Sequence, residues 1–445
     1  MKQKTDMLNG PLKSKIIMFA LPLAVTGILQ QLFNAADVAV VGRFAGKDAM
    51  AAVGSNAPII ALIVNLFVGI SLGANVVIAN LIGQNDKARI HKAVHTTIVV
   101  ALLSGIAATI IGELMAAPLL RAMSVPEEVF DMTLLYLRIY LTGMPVILLY
   151  NFESAIFRSH GDTSTPLLCL VTSGVINVVL NLFFVIVLKM DVSGVALATI
   201  ISNLISSVML FYFLQRGDSL IRVDIHDFGI DKSLLMKMLK IGIPAGLQGV
   251  VFSVSNVVIQ SAINSLGADI MAASSAAFNI EIFMYYIISS FGQACTTFVG
   301  QNYGARKLER CKKVTKTCMA MDAITTLVVS VVLLLLGRVL LGLFNQDPVI
   351  IDYGMVRLKF ILIPEVINVV IEVMSGCMRG YTYSTIPAVL TFLGVCGIRI
   401  TWVYTVFRVS PNFQTIMAVY PISWIVTAAA IFIAYLCIRK RIFNE

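Results

Sequence analysis

The sequence has few of the side chains that enzymes use for catalysis or for holding metals. Only 13% of its 445 residues are charged, and histidine occurs four times. The histidines show no metal-ligand spacing beyond the i, i+4 pair His91 and His95, which is more often a solvated helix face. A glycine-rich Walker loop is absent from the sequence. We therefore expect neither an enzyme nor a self-contained ATP-driven pump.

Cysteine is also sparse, and its spacing excludes a recognisable zinc site. The seven cysteines are scattered and fall mostly inside predicted helices, where we interpret them as small apolar fillers. We expect no cofactor, and no metal beyond a coupling ion, either H⁺ or Na⁺. The cysteines are Cys169, Cys295, Cys311, Cys318, Cys377, Cys396 and Cys437.

Apolar residues are what the sequence has in excess. Hydrophobic residues make up 58% of the chain, and the mean hydropathy is +0.90, far above the values of soluble domains. Because a helix needs about 20 apolar residues to cross a bilayer core, we predict an all-α polytopic membrane protein with twelve transmembrane helices. The predicted spans are 14–41, 51–80, 91–117, 131–157, 166–188, 194–214, 235–264, 271–299, 311–336, 353–378, 386–408 and 414–437.

The net charge of +9 follows the predicted topology, so a nucleic-acid partner is not needed to explain it and none is expected. Basic residues cluster in every second connection, and the positive-inside rule then places both termini in the cytoplasm of a multi-pass cell-membrane protein. We expect a monomer that contacts the lipid bilayer and a small-molecule substrate. The predicted outside loops hold only Arg43, Lys47, Arg121, Lys189, Arg338 and Arg408.

The chain repeats itself at an offset near 221 residues. Two halves of six helices run in the same sense through the membrane, which implies a pseudo-two-fold axis along the membrane normal and a central cleft between two six-helix bundles. We predict an N-lobe at 1–214, a charged, solvated cytoplasmic linker at 215–233 that lets the lobes rock, and a C-lobe at 234–445. The matched pairs include Pro22/Pro244, Asn34/Asn256, Gly83-Gln84-Asn85/Gly300-Gln301-Asn302, Arg158/Arg379 and Pro166/Pro387.

Asp37 is the strongest functional candidate, because an ionisable side chain deep in a membrane helix is costly. Polar side chains at helical spacing line the same face of three helices, and their depths from the predicted outer ends agree. Together they suit a hard cation, or a carboxyl group that loads and releases a proton. Helix packing by hydrogen bonds is the alternative. The stripes are Gln30, Asn34 and Asp37, then Asn177 and Asn181, then Thr199 and Asn203.

The second half lacks this constellation. The repeat places Ile259 opposite Asp37. It places Ile398 opposite Asn177, Trp402 opposite Asn181 and Tyr420 opposite Thr199. A packing device that the fold requires would more plausibly appear in both halves. The asymmetry therefore favours a coupling role.

Other embedded ionisable residues give weaker hypotheses. Glu372 and Arg399 are possible partners, either fixing the second lobe or lining a polar substrate wall. Glu281 has no evident basic partner, and ligand contact and packing remain equally open for it. Glu113 and Glu365 lie near predicted helix ends or beside prolines, where headgroup-level solvation is expected.

Prolines interrupt the first helix of each half, at Pro22 and Pro244. A proline in a membrane helix frees backbone carbonyls and bends the helix, which suits a hinge during transport. A static kink is the alternative. Gly143 with Pro145, and Pro364, interrupt the fourth and tenth helices in the same way.

These motifs resemble the multidrug and toxic compound extrusion (MATE) family across essentially the whole chain. The matching segments are Phe33-Asn34-Ala35-Ala36-Asp37, Val41-Gly42-Arg43, Ile82-Gly83-Gln84-Asn85, Val299-Gly300-Gln301-Asn302, and the run from Phe157 to Pro166. The resemblance implies a secondary antiporter that exports cationic or amphipathic compounds against entry of Na⁺ or H⁺.

The resemblance also implies site residues. Asp37 matches the coupling aspartate, with Asn177, Asn181 and Thr199 as companions, while Gln30 and Asn151 match polar positions of the N-lobe cavity; Asn34 and Asn203 join that cavity by their spacing. Many relatives carry a second acid where this chain has Asn181. The seventh helix lacks an acid, unlike the NorM-like branch, which favours an N-lobe mechanism nearer the DinF-like branch.

Two rival functions remain at this point. A lipid-linked precursor or polysaccharide flippase of the same superfamily shares the architecture, but it requires a cationic cavity and the chain has few embedded bases. A non-transporting membrane scaffold or receptor would give no substrate-stimulated ion flux.

Overall fold

Every predicted span forms helix in a computed structural model of the chain, which describes residues 5–123 and 125–444. Within these ranges the regular structure is entirely helical. The helices of the first half are α1 (Leu12–Phe44), α2 (Lys47–Gln84), α3 (Lys87–Ala122), α4 (Glu127–Thr142), α5 (Met144–His160), α6 (Ser164–Leu182), which continues into a π-helical turn Phe183–Val187, and α7 (Asp191–Arg216). Those of the second half are α8 (Lys232–Asn264), α9 (Ala268–Gly304), α10 (Leu308–Gly342), α11 (Pro348–Leu362), α12 (Glu365–Gly380), α13 (Thr385–Thr391), α14 (Ile398–Trp402) and α15 (Phe413–Asn444), with π-helical turns at Phe392–Gly397 and Val403–Phe407.

The number of membrane spans agrees with the prediction of twelve. Ten helices of the described chain are long and apolar enough to cross a bilayer, and two bent helix pairs bring the number to twelve. The α4–α5 pair bends by 49° and the α11–α12 pair by 42°. These bends fall at Gly143 with Pro145 and at Pro364, because proline removes a backbone donor and blocks the preceding turn.

Local capping explains why the family motifs occupy the helix connections. Gly161 has φ of 95°, a left-handed conformation that favours glycine, and it ends α5. The carboxylate of Asp162 then accepts from the backbone N–H groups of Ser164 and Thr165 at 2.9 and 3.0 Å, which starts α6. At the α2–α3 connection, Asp86 accepts from the N–H of Arg89 at 3.0 Å.

The backbone repeats the 221-residue offset more strictly than the side chains do. Left-handed residues recur in pairs at Gly46 and Gly267, Asn85 and Arg306, and Gly161 and Thr382. The Gly-Gln-Asn motif is an exception, since it ends α2 in the first half but lies inside the last turns of α9 in the second. The two copies of this motif therefore differ by about one helical turn in position.

By their internal contacts the residues fall into two compact units. Among the described residues, unit 1 contains Thr5, 25–123 and 125–246, and unit 2 contains 6–24 and 247–444. In unit 1, α5 lies at the centre and packs against α2, α3 and α7. In unit 2, α9 packs against α10, α11 and α12, and α12 packs against α15.

The unit boundaries differ from the predicted lobes in the first helix of each half. In α1, unit 2 ends at Ala24, two residues beyond Pro22, and in α8, unit 1 ends at Gly246, two residues beyond Pro244. The first turns of α1 thus belong to unit 2, and those of α8 to unit 1. The sequence repeat marks where each half begins, but packing decides which unit a helix segment joins.

The predicted linker is anchored and does not behave as a free solvated connector. The backbone N–H of Asp224 donates to Nε2 of His95 at 2.9 Å, and that of Asp231 donates to the Thr96 hydroxyl at 3.0 Å. Ile221 and Val223 are buried in the unit 1 core. His95 is therefore buried, contrary to the solvated face predicted for the His91/His95 pair.

Glycines allow the first turns of α8 to lie directly on α2 within unit 1. A Cβ atom on Gly69 would meet the backbone of Gly246, and one on Gly246 would meet the carbonyl of Leu66, both inside van der Waals distance. Gly73 faces the backbone of Met238 in the same way. Small residues at membrane-helix interfaces permit this close approach.

Adding a methyl group at this contact is expected to destabilise the fold. Gly246→Ala forces the two helices apart, and overpacking of this kind costs about 1 to 3 kcal/mol. We expect a lower midpoint of thermal unfolding for the detergent-purified variant. Gly54→Ala in α2 is the matched control, since no atom lies within 4 Å of its added Cβ. Equal midpoints for the two variants would contradict the proposed close packing.

Candidate functional site

Asp37 is a buried carboxylate without a basic partner. It lies on α1 about 10 Å before the end of that helix at Phe44, given a rise of about 1.5 Å per residue. Its side chain is only 7% exposed. Across the described residues, no lysine, arginine or histidine lies within ion-pair distance of it. Burying an unpaired charge is expensive, so a bound cation or proton is the natural way to neutralise this group.

The predicted companions of Asp37 do meet it in the structure. The Nδ2 group of Asn181 donates to Oδ1 of Asp37 at 2.5 Å and to Oδ1 of Asn177 at 3.2 Å. The hydroxyl of Thr199 lies 3.4 Å from Oδ2 of Asp37 and 3.0 Å from the carbonyl of Val195. One carboxylate, two amide oxygens and a hydroxyl therefore converge from α1, α6 and α7.

The amide of Asn181 is not fully satisfied in this arrangement. Its Oδ1 atom is buried and has no hydrogen-bond partner, while its Nδ2 group serves both neighbours. An unpartnered buried oxygen beside a carboxylate is a ready ligand for a cation or a hydrogen-bond acceptor for a protonated group. The π-helical turn that follows at Phe183–Val187 is of a kind often found at functional sites.

Two tyrosines that the sequence did not point to complete the surroundings. Tyr136 and Tyr140 of α4 stack with ring centroids 6.2 Å apart, and both interact electrostatically with Asp37. Their rings pack among Val38, Val41 and the apolar residues of α2 and α7. These rings help to exclude water from the carboxylate. Tyrosines four apart on an amphipathic helix are common, so no sequence signal distinguished this pair.

The four residues predicted to line the N-lobe cavity are less buried than the Asp37 cluster. Asn34 is exposed, and Gln30, Asn151 and Asn203 are half-buried. Asn151 and Asn203 each donate to a backbone carbonyl one turn earlier, at 2.8 Å. All four lie in unit 1, and only Asn203 is tied directly to the cluster, through the carbonyl of Thr199.

Unit 2 carries the opposite charge at the related place. Asn256, the repeat partner of Asn34, accepts from the Arg399 guanidinium at 3.2 Å. Arg399 also donates to the Ser423 hydroxyl at 3.2 Å and lies 4.4 Å from the ring centre of Tyr420, the repeat partner of Thr199. Ile259, opposite Asp37, is fully buried. A buried arginine repels cations, so the related place in unit 2 does not reproduce the site.

The expected pairing of Arg399 with Glu372 is wrong. Among the described residues Arg399 has the partners named above and an electrostatic interaction with Glu365. Glu372 is half-buried and interacts electrostatically with Arg379, whose guanidinium donates to Gln248 at 2.8 Å. Glu365 is only 4% exposed and accepts from Asn368 at 3.1 Å, so the headgroup-level solvation expected for it is also wrong.

Glu281 has a strong basic partner that the sequence did not reveal. Arg357 of α11 makes two bonds to its carboxylate, at 2.5 and 3.1 Å, and a third to Ser274 at 2.5 Å. The guanidinium is 4% exposed and the carboxylate 11%. Since 76 residues separate the pair, only the tertiary structure brings them together. The bidentate ion pair indicates packing, not ligand contact, for Glu281.

A further buried acid, Asp322 of α10, was also missed. It is fully buried; Thr326 lies 3.3 Å from its Oδ1, and its Oδ2 has no hydrogen-bond partner. It lay inside the predicted ninth helix and was visible in the sequence. Thr326 and Ser330 follow it at i+4 and i+8 and are also buried, so this polar stripe was the sequence signal that could have identified it.

Ten to twelve spans in two related halves define a polytopic α-helical membrane protein. Residues 22–183 and 244–405 each match the protein family described as MatE. Together the matched segments cover more than half of the chain, so it belongs to the MatE family. The two matches begin 222 residues apart and end 222 residues apart, which agrees with the internal repeat.

Individual relatives support the same assignment. The chain is 26% identical over 395 residues to the "Probable multidrug resistance protein YoeA" of Bacillus subtilis (strain 168), covering 86% of this chain and 84% of that protein. It is 24% identical over 400 residues to the "Probable multidrug resistance protein NorM" of Thermotoga maritima, covering 87% and 84%. A solved structure, "Outward-facing conformation of a multidrug resistance MATE family transporter of the MOP superfamily", matches with a TM-score of 0.92 over 100% of both chains at 23% identity, which shows the fold.

Removing Arg357 is expected to destabilise unit 2 strongly. Arg357→Met leaves the Glu281 carboxylate buried without its partner, which costs about 3 to 5 kcal/mol. Arg338→Met is the matched control, because Arg338 pairs with Asp352 where both side chains are more than 60% exposed, and such pairs contribute about 0 to 1 kcal/mol. Thermal unfolding in detergent measures the difference. A double variant with Glu281→Gln should recover much of the loss, and equal midpoints for Arg357→Met and Arg338→Met would argue against the pair's structural role.

Proposed function

We propose that the protein is a secondary active antiporter that exports small, cationic or amphipathic compounds and is driven by entry of H⁺ or Na⁺ at Asp37. The observation that carries the proposal is the buried carboxylate of Asp37 on α1, which has no basic partner and meets amide groups of α6 and a hydroxyl group of α7. The names of the relatives support multidrug compounds as the substrates. The DinF-like placement of the mechanism stays a prediction.

The site offers a plausible way to couple an ion to a change of conformation. In the ionised form Asp37 holds the Asn181 amide by a charge-assisted hydrogen bond. A proton on the carboxyl turns that acceptor into a donor, and a sodium ion attracts the amide oxygen in place of the amide N–H. Either event rearranges the contact between α1 and α6. Coupling then requires only that ion and substrate prefer opposite conformations.

Pro22 supports the first helix as the moving element. The boundary between the compact units crosses α1 two residues beyond Pro22 and α8 two residues beyond Pro244. Proline-weakened backbone hydrogen bonding at these places suits hinges. We therefore propose that ion binding at Asp37 changes the bend of α1 and reduces the N-lobe cavity lined by Gln30 and Asn34.

The proposed orientation places both termini on the cytoplasmic side of a bacterial cell membrane. The distribution of basic residues among the connections supports it. The connection from α7 to α8, for example, carries Arg216, Arg222 and Lys232. The monomeric state likewise stays a prediction.

No specific observation favours the alternative that the protein is a flippase. Unit 2 does contain three buried arginines, more than the sequence suggested, at Arg357, Arg379 and Arg399. Each is engaged within unit 2, by Glu281, by Gln248, or by Ser423 and Asn256. A pyrophosphate carrier needs guanidinium groups that are available to its substrate. The antiporter is therefore the better-supported function.

Asp37→Asn is expected to abolish ion-driven export while the protein still folds. The amide is nearly isosteric with the carboxylate but carries no exchangeable charge, so it neither binds a proton at neutral pH nor attracts Na⁺. Proteoliposomes loaded with the fluorescent cation ethidium and given either a proton or a sodium gradient measure the effect. Asp48→Asn, an exposed acid at the start of α2, is the matched control. Undiminished coupled export by Asp37→Asn would refute the assignment.

Asn181→Asp is expected to increase sodium dependence. The substitution places a second carboxylate where the amide Nδ2 lies 2.5 Å from Asp37, and two carboxylates at that separation repel unless a cation or a shared proton lies between them. We expect NaCl, compared with KCl at equal ionic strength, to raise the thermal midpoint of the variant more than that of the parent protein. An identical response of both proteins to the two salts would show that Asn181 does not face the ion.

A further inference from the structure

Unit 1 contains a second buried carboxyl group that is not part of the proposed coupling site. Glu153 lies near the centre of α5 and is fully buried. Its Oε2 atom accepts from the Ser207 hydroxyl of α7 at 2.9 Å, and its Oε1 atom has no hydrogen-bond partner. Within the described part of the chain no arginine, lysine or histidine lies within ion-pair distance of it. A group in this position is neutral only when it carries a proton.

Glu153 and Asp37 lie towards opposite ends of the same helix bundle. Asp37 meets α7 at Thr199, near the start of that helix, and Glu153 meets α7 at Ser207. Eight residues of helix separate these two contacts by about 12 Å. With Asp37 near the outer ends of the helices, as the proposed orientation requires, Glu153 lies nearer the cytoplasmic ends.

A stripe of polar side chains on α7 connects the two carboxyl groups. Thr199, Asn203 and Ser207 follow at i, i+4 and i+8 and so share one side of the helix. Asn203 donates to the Thr199 carbonyl at 2.8 Å, and the neighbouring Ser206 hydroxyl donates to the Asn203 carbonyl at 2.9 Å. An apolar helix in a bilayer has no need of such a stripe, whereas proton movement requires hydroxyl groups and water along its path.

The groups that face Glu153 do not form an ion pair with its carboxyl group. Tyr150 on its own helix and the Cys169 thiol of α6 interact with it electrostatically, and the group facing it from α7 is the uncharged Ser207. His160 lies on the same face of α5 about two helical turns after Glu153. It is 2.9 Å from the Asp218 carboxylate, which is 44% exposed. An ionisable pair therefore lies between Glu153 and the end of the bundle that reaches solvent.

We propose that Glu153 is a second proton-binding site, which accepts the coupling proton from Asp37 and releases it towards the cytoplasm. In this step the O–H bond of the Asp37 carboxylic acid breaks and leaves a carboxylate, and an O–H bond forms on the Glu153 carboxylate, with hydroxyl groups and water carrying the proton between them. Glu153 then loses the proton to the cytoplasmic solution. The inference rests on the proposed function in its proton-coupled form.

Glu153→Gln separates a relay from a structural role. The amide oxygen of glutamine still accepts from Ser207, so folding and the thermal midpoint should stay near those of the parent protein. A positioned proton-transfer group contributes about 100-fold or more to a rate, so we expect proton-driven ethidium export to fall at least about tenfold. Glu113→Gln is the matched control, since Glu113 is 33% exposed and lies 3.5 Å from Arg138. Export by that variant should not change.

Infrared difference spectra of the full-length protein after a pH change provide a readout that does not depend on substrate. Protonated buried carboxyl groups absorb in the carboxylic C=O stretching region, and we expect Asp37→Asn and Glu153→Gln each to remove a different band. Loss of no band in Glu153→Gln, or a pH profile of export equal to that of Glu113→Gln, would overturn the proposal. If Asp37→Asn keeps coupled export, the proposed function of Asp37 is wrong. If the Glu153 band is still present in that variant, Glu153 remains a buried group that binds a proton.

Discussion

The structure depends on the cost of burying an unpaired charge away from water. Within the bilayer, carboxylates are tolerated when a base, a proton or a bound cation neutralises them. Glu281 follows the first route through Arg357, whereas Asp37 has no base and keeps only amide and hydroxyl neighbours. The same physical cost is therefore met by an ion pair at Glu281 in unit 2, whereas no base meets it at Asp37 in unit 1.

The two units show how one backbone frame supports opposite chemistry. Left-handed turn residues recur at a fixed offset, because the helix connections must have the same geometry in both halves. Side chains inside the frame are free to differ, and the related places hold an acid in one unit and Arg399 over Tyr420 in the other. A symmetric pair of cation sites would not provide this contrast. The similar frames of the two units therefore hold different charges at the related places, the Asp37 carboxylate in unit 1 and the Arg399 guanidinium in unit 2.

Helices α1 and α8 are the two helices that the proposed hinges cross. Each contributes residues to both compact units and changes unit two residues beyond a proline. Close packing at Gly69, Gly73 and Gly246 holds the first turns of α8 on α2, so a bend at Pro244 is not free to spread through the bundle. In the proposed mechanism the prolines are therefore the places where the helices bend, and the glycine contacts are the places where α8 stays packed.

The sequence by itself determined the membrane class, the spans, the repeat and the cluster in which Asp37 meets Asn181 and Thr199, with Asn177 bonded to Asn181. These followed because hydropathy reports burial in lipid directly, and because helical spacing and depth place side chains on common faces. Only the tertiary structure decided the partners that lie far apart in the chain. Arg357 with Glu281, the anchored linker at His95, and Ser207 with Glu153 involve helices whose rotation about their own axes is set by packing. The local sequence does not determine that rotation. For this reason the polar stripes near Asp37 could be predicted, whereas the buried pair of Arg357 and Glu281 could not.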